Sequence, residues 1–299
     1  MPPASSRQSL GLFLGFIGVV IFGGTLPATR LALQGFDPFF ITAGRSAIAG
    51  VCAGVLLLIL RRRPPPKQAW GSLIVATLGV VLGFPFFMAL AMQTIPAAHG
   101  GVVLGVLPIA TAIVAVLITE ERPGRAYWIA ALAGAALVIL FALRHGAGGI
   151  EIGDLFLLLA VAFGAIGYGY SGRLTAIMPG WEIISWAMVI SLPFTLLATW
   201  LFVPDNLRSV PFEPWLGLLY AALFSQWIGF FAWNAGVSIC GLSKVSQLQL
   251  LQPFVTIGLA AVVNREAIDF ETILFAAAVV ATVAISARTR VRLAPMVEA

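Results

Sequence analysis

Runs of 18 or more nearly uncharged residues recur along the chain, separated by short segments that collect proline, glycine and charge. About twenty such residues in a helix cross the roughly 30 Å hydrocarbon core of a bilayer. The pattern predicts ten spans, at 10–33, 37–60, 68–93, 96–118, 123–143, 151–176, 180–203, 211–237, 241–263 and 268–287. Breakers mark the joins: Asp37-Pro38, the run Pro64 to Pro66, Pro96, Pro123, Gly148-Gly149, Pro179-Gly180 and Pro211. None of the connections is long enough for a soluble domain, so residues 1–299 are read as one all-α membrane domain.

Composition agrees. Of 299 residues 60% are hydrophobic and 10% charged, against about 25% charged in soluble domains. The net charge of +5 is no signal for nucleic acid, because the basic residues sit in short loops and at the tail, where they set topology. With a cytoplasmic N-terminus, twelve of the seventeen fall on the inner side, Arg61, Arg62, Arg63 and Lys67 among them. Both termini are therefore expected in the cytoplasm and the chain in the inner (plasma) membrane. Cys52 and Cys240 read as buried free thiols. The first apolar stretch is too long for a secretory signal and runs on into further spans. Glycines four apart, such as Gly11/Gly15, Gly50/Gly54, Gly79/Gly83 and Gly101/Gly105, predict close helix contact or a sliding interface.

The chain also repeats itself at one constant offset. Pro108-Ile109-Ala110-Thr111 in the fourth span matches Pro253-Phe254-Val255-Thr256 in the ninth. Glu121 matches Glu266, Phe86 matches Phe231 and His99 matches Lys244. Five spans per half, an odd number, force the second copy in upside down, the inverted repeat of secondary transporters. Repeat one covers about 10–143 and repeat two about 151–288.

These features, with Arg45 early in the second span, resemble the drug/metabolite transporter superfamily, in its branch of EamA-like bacterial metabolite exporters. The look is nearest to that branch's aromatic amino-acid exporters. The resemblance spans about residues 10–288. It implies a central cavity lined by spans 1, 3, 4, 6, 8 and 9, and efflux from the cytoplasm.

Polar groups inside the spans are the candidate site. Span nine carries Ser246, Gln249, Gln252, Pro253 and Thr256 on one broad face. They read either as interhelical hydrogen bonds or as cavity lining. Span eight adds Gln226, Trp227, Phe230, Phe231, Trp233 and Asn234, with Tyr168 from span six and Phe86 from span three. Aromatic walls beside amides suit a ligand with an apolar body and a hydrogen-bonding head. The expected substrate-binding set is Phe86, Tyr168, Trp227, Trp233, Asn234, Ser246, Gln249 and Gln252. Pro108 and Pro253 are matched hinge candidates. Arg45 is expected to face protein or water in a structural or gating role.

No acid lies deep in a span, which leaves facilitated diffusion or exchange rather than an obvious proton pump. HExxH and GxSxG motifs are absent, so no enzyme, metal site or cofactor is expected. The expected activity is export of aromatic and other apolar amino acids by alternating access. The alternative is export of cationic drugs or other small metabolites on the same fold. A monomer is expected, with the small-molecule substrate and the lipid bilayer as its partners and no nucleic acid.

Overall fold

A computed structural model describes residues 4–95, 100, 103–119, 121–145, 152–264, 270–288 and 291–293. Glu266, His99 and Gly101, all used in the sequence comparison, lie outside the described residues, as do the joins at Pro96 and Gly148-Gly149. The helices in chain order are α1 (Arg7–Ala32), α2 (Pro38–Ile59), α3 (Lys67–Ala91), α4 (Leu104–Ile118) and α5 (Arg125–His145), followed by α6 (Ile152–Leu174), α7 (Gly180–Leu201), α8 (Phe212–Cys240), α9 (242–264) and α10 (Phe270–Arg288). Six of them, α1–α3 and α6–α8, are long and apolar enough to cross a membrane. Leu58, Leu117, Leu143, Phe194 and Trp200 stand exposed on the outside of the bundle, as a lipid-facing surface requires. The chain is a multi-pass membrane protein.

The helix starts follow local chemistry. Asp37 caps α2, its carboxylate accepting from Phe40 N at 2.8 Å, and Pro38 fills the first turn, where no N–H is needed. A tighter device begins α9. Gly241 takes φ +83° to turn the chain out of α8, and the buried Glu121 accepts from the N–H groups of Leu242 (2.6 Å) and Ser243 (2.8 Å). A carboxylate there answers the free donors and the positive end of the helix dipole together. Glu121 also opens the strand β1 (Glu121–Pro123), which pairs antiparallel with β2 (Val291–Leu293) beyond α10.

Packing is closest where glycine allows it. A Cβ on Gly79 would lie 2.5 Å from Gly167 Cα, so α3 and α6 touch backbone to backbone. A Cβ on Gly236 would lie 2.7 Å from Gly11 O, which brings α8 equally close to α1. Helix α2 packs on α7 and α5 on α10. One large core runs through the middle of the bundle. Among the smaller satellite clusters, one holds Phe36, Phe40, Ile41 and Leu218 and another Leu73, Leu174, Met178 and Ile183.

Several helices depart from α geometry, and the departures recur at a separation of 145 positions (253 − 108 for the two prolines). A wide π segment closes at Gly83 in α3 and at Ile228 in α8. A 3-10 segment ends at Val106 within α4 and at Leu251 within α9, and α-helix restarts at Leu107 and Gln252. Pro108 and Pro253 are thus each the second residue of a restarted helix.

Candidate functional site

A narrow cavity of about 20 Å³, room for little more than one water, lies in the middle of the bundle. Its aromatic wall is Phe22 from α1, Phe84 from α3, Tyr168 from α6 and Phe230 from α8. Tyr168 stacks on Phe230 at 5.6 Å and leans on Trp233 at 5.4 Å, while Phe22 touches all three rings. Leu26, Val80, Met88 and Leu104 supply the aliphatic surface. The polar side consists of Thr25, Arg45, Ser225, Gln226 and Gln252. The lining helices are α1, α3, α4, α6, α8 and α9, with α2 added through Arg45.

That polar side is built from the breaks in the helices. Pro85 has no N–H for the carbonyl of Val81 one turn earlier. Gln226 Nε2 donates to that carbonyl at 3.0 Å and to Ser46 Oγ at 2.7 Å, and Ser46 Oγ donates to it as well. Likewise Pro27 leaves the Gly23 carbonyl free, and Thr256 Oγ1 donates to it at 2.8 Å. Ser225 Oγ shares a hydrogen bond with Thr25 Oγ1 at 2.6 Å and accepts one from Arg45 Nη2 at 3.3 Å. Arg45 is 3% exposed, and its Nε and Nη1 have no partner among the described residues. Gln226 Oε1 is also unpartnered among them. A buried guanidinium with spare donors beside aromatic rings is an anion-binding arrangement with an apolar body next to it.

The residues singled out from the sequence fall in different places. Tyr168, Gln252 and Arg45 line the cavity, and Trp233, fully buried, backs its aromatic wall. Trp227 and Asn234 face α7: Trp227 Nε1 donates to Ser185 Oγ at 2.9 Å, and Asn234 Nδ2 donates to the Gly180 carbonyl at 3.0 Å while its Oδ1 accepts from Ser171. Ser246 bonds to the Ser243 carbonyl in its own helix turn. Phe86 packs between Phe39 and Phe87, away from the lining, where its neighbour Phe84 stands instead. Gln249 is buried within the 3-10 stretch of α9, with both amide atoms unpartnered among the described residues. Thr25, Ser225 and Phe22 line the cavity but carry no distinguishing mark in the sequence. A serine or threonine in a helix commonly bonds to its own backbone, and Phe22 is one of 21 phenylalanines.

Comparison with known proteins fixes the family. The chain is 44% identical over 283 residues, 95% of its length and 99% of the other's, to a Bacillus subtilis (strain 168) protein described as the uncharacterized transporter YdeK. It is 24% identical over 278 residues, 89% and 90% of the two chains, to the uncharacterized transporter YyaM of the same organism. A crystal structure of another protein superimposes with a TM-score of 0.74 at 20% identity, over 93% of this chain and 96% of that one, a likeness of fold. The EamA-like transporter family model matches twice, over residues 9–143 and 151–288. The chain therefore belongs to the EamA-like transporter family.

Proposed function

We propose that this transporter moves aromatic and other apolar amino acids out of the cytoplasm across the inner membrane, by alternating access between two inverted five-span halves. The observation that carries this reading is the central cavity, with aromatic rings on one side and buried polar donors on the other. Such a pairing of surfaces fits a small ligand with a ring and a charged head.

The two-halves reading draws support from three directions. The family model matches each half separately. The departures from α geometry recur at the same 145-residue separation as the prolines. The packing pairs α1 with α8 and α3 with α6, which exchange when the halves are exchanged, and α2 with α7 and α5 with α10, which map onto themselves. In this reading all ten helices span the membrane, both termini face the cytoplasm, and the working form is a monomer. Movement requires no covalent chemistry. A cationic drug on the same fold is the less favoured ligand, because the described lining contains Arg45 and neither Asp nor Glu.

The test is direct. Purified protein in liposomes is expected to move labelled phenylalanine or tryptophan down its gradient, and Trp233→Ala to slow that movement. Protein that is folded and inserted yet carries neither amino acid rejects the substrate assignment.

A further inference from the structure

We propose that the cavity recognises a carboxylate carried on an aromatic body, with Arg45 as its anchor, and offers an ammonium group no negatively charged partner. The inference rests on reading this cavity as the substrate site, and it narrows the chemistry selected there.

Arg45 projects from α2 into the lining, buried, with Ser225 Oγ its one hydrogen-bond partner among the described residues. Arginine carries five N–H donors and keeps its charge in proteins. Nε and Nη1 are unpartnered among those residues. A charge held out of water without a counter-charge is costly, and an incoming anion removes that cost. The described lining offers no carboxylate to do so from within. The free energy of an arylcarboxylate entering the site therefore includes the relief of an unpaired guanidinium, which no neutral or cationic ligand supplies.

The ammonium end of an amino acid meets the opposite situation. The side-chain acceptors in the described lining are all neutral: Gln226 Oε1, which is unpartnered among the described residues, the Gln252 amide, and the hydroxyls of Tyr168, Thr25 and Ser225. The rings of Phe22, Tyr168 and Phe230 attract a cation, but they stand beside a fixed positive charge that repels it. Aromatic acids lacking the amino group should then be ligands as good as amino acids, while the matching amines should not.

Three probes of one skeleton separate the possibilities: phenylalanine, 3-phenylpropanoate and phenethylamine, each titrated by calorimetry into purified full-length protein at neutral pH. The expected order puts 3-phenylpropanoate equal to or tighter than phenylalanine, and phenethylamine about a hundredfold weaker. Arg45→Gln is expected to weaken both carboxylates about a hundredfold, with Arg45→Lys between. Phenethylamine binding within tenfold of 3-phenylpropanoate overturns the inference, as does folded Arg45→Gln that keeps carboxylate affinity. Should Arg45→Gln not fold, the order of the three probes on the natural protein decides alone. Phenylalanine transported in liposomes with the amine bound as well as the acid leaves the amino-acid reading standing and this inference rejected. Binding of 3-phenylpropanoate with phenylalanine neither bound nor carried rejects the amino-acid reading and supports this one. No binding by any probe rejects both.

Discussion

At the scale of single residues, the fold turns on carbonyls that prolines leave without donors. Pro27 cannot serve the Gly23 carbonyl, and Thr256, 233 positions away, takes its place. Pro85 abandons Val81 in the same way, and Gln226 answers from 145 positions on. A buried carbonyl left unpaired costs about 1–3 kcal/mol, so these side chains tie distant helices together at the prolines. Thr256→Val, nearly isosteric, is expected to destabilise the protein by about 1–2 kcal/mol. In a Pro27→Ala background the helix regains its own donor, and the same change should cost much less. A thermal-melt cycle over the four proteins measures the difference, and strict additivity would count against this account. The prolines, the threonine and the arginine are all legible in the sequence as anomalies within apolar runs. What the sequence does not carry is which carbonyl meets which side chain, because those partners meet only through the packing of distant helices. Phe86 illustrates the limit: its matched partner Phe231 marks the repeat, but one turn of a π segment decides that Phe84 faces the cavity.

At the scale of elements, the spans and their order follow from hydrophobic length, and the close crossings follow from glycine. Gly79 and Gly167 let α3 and α6 approach to backbone contact, and Gly11, Gly15 and Gly236 do the same for α1 and α8. Of the pairs four apart, Gly50 meets the carbonyl of Met188, but Gly54 has no neighbour closer than 3.6 Å. Spacing alone marks candidates for contact without saying which are used. Gly79→Val pushes two methyls into the backbone of α6, and overpacking of this kind costs about 1–3 kcal/mol. Gly71, at the start of α3, is the control, because a Cβ added there would have nothing within 4 Å. There Gly→Ala should be neutral or mildly stabilising, since alanine is the better helix former by about 1 kcal/mol. Comparable melting shifts for Gly79→Val and Gly71→Ala in detergent would remove close packing as the reason for the glycine.

At the scale of the whole molecule, two of the satellite clusters are the candidate gates of the proposed alternating access. One joins the end of α1, the start of α2 and α8; the other joins the start of α3, the end of α6 and the start of α7. Helix α2 begins in the first, and the chain leaving it enters the second through Ala69, so the clusters cap opposite ends of the bundle. Leu218 in the first and Leu73 in the second stand 145 positions apart (218 − 73), the separation of the matched prolines. Both clusters are packed, and the central cavity has room for little more than one water. The proposed alternating access would have one cluster open while its counterpart stays shut. Cysteine pairs can lock either end in a protein whose own Cys52 and Cys240 are replaced by alanine. Gly172→Cys with Leu242→Cys spans the cytoplasmic end of the proposed topology, where a Cβ on Gly172 lies 3.4 Å from that of Leu242. Gly35→Cys with Pro214→Cys spans the outer end, at 3.0 Å. Both distances are close to the 3.5–4.5 Å range of disulfides. Each oxidised pair should abolish transport in liposomes and each should recover on reduction. A third cysteine at Met88, on the cavity wall, should then react with an impermeant thiol reagent only from outside when the cytoplasmic end is locked, and only from inside when the outer end is locked. Labelling from both sides in either locked form would mean that the two clusters are not the gates.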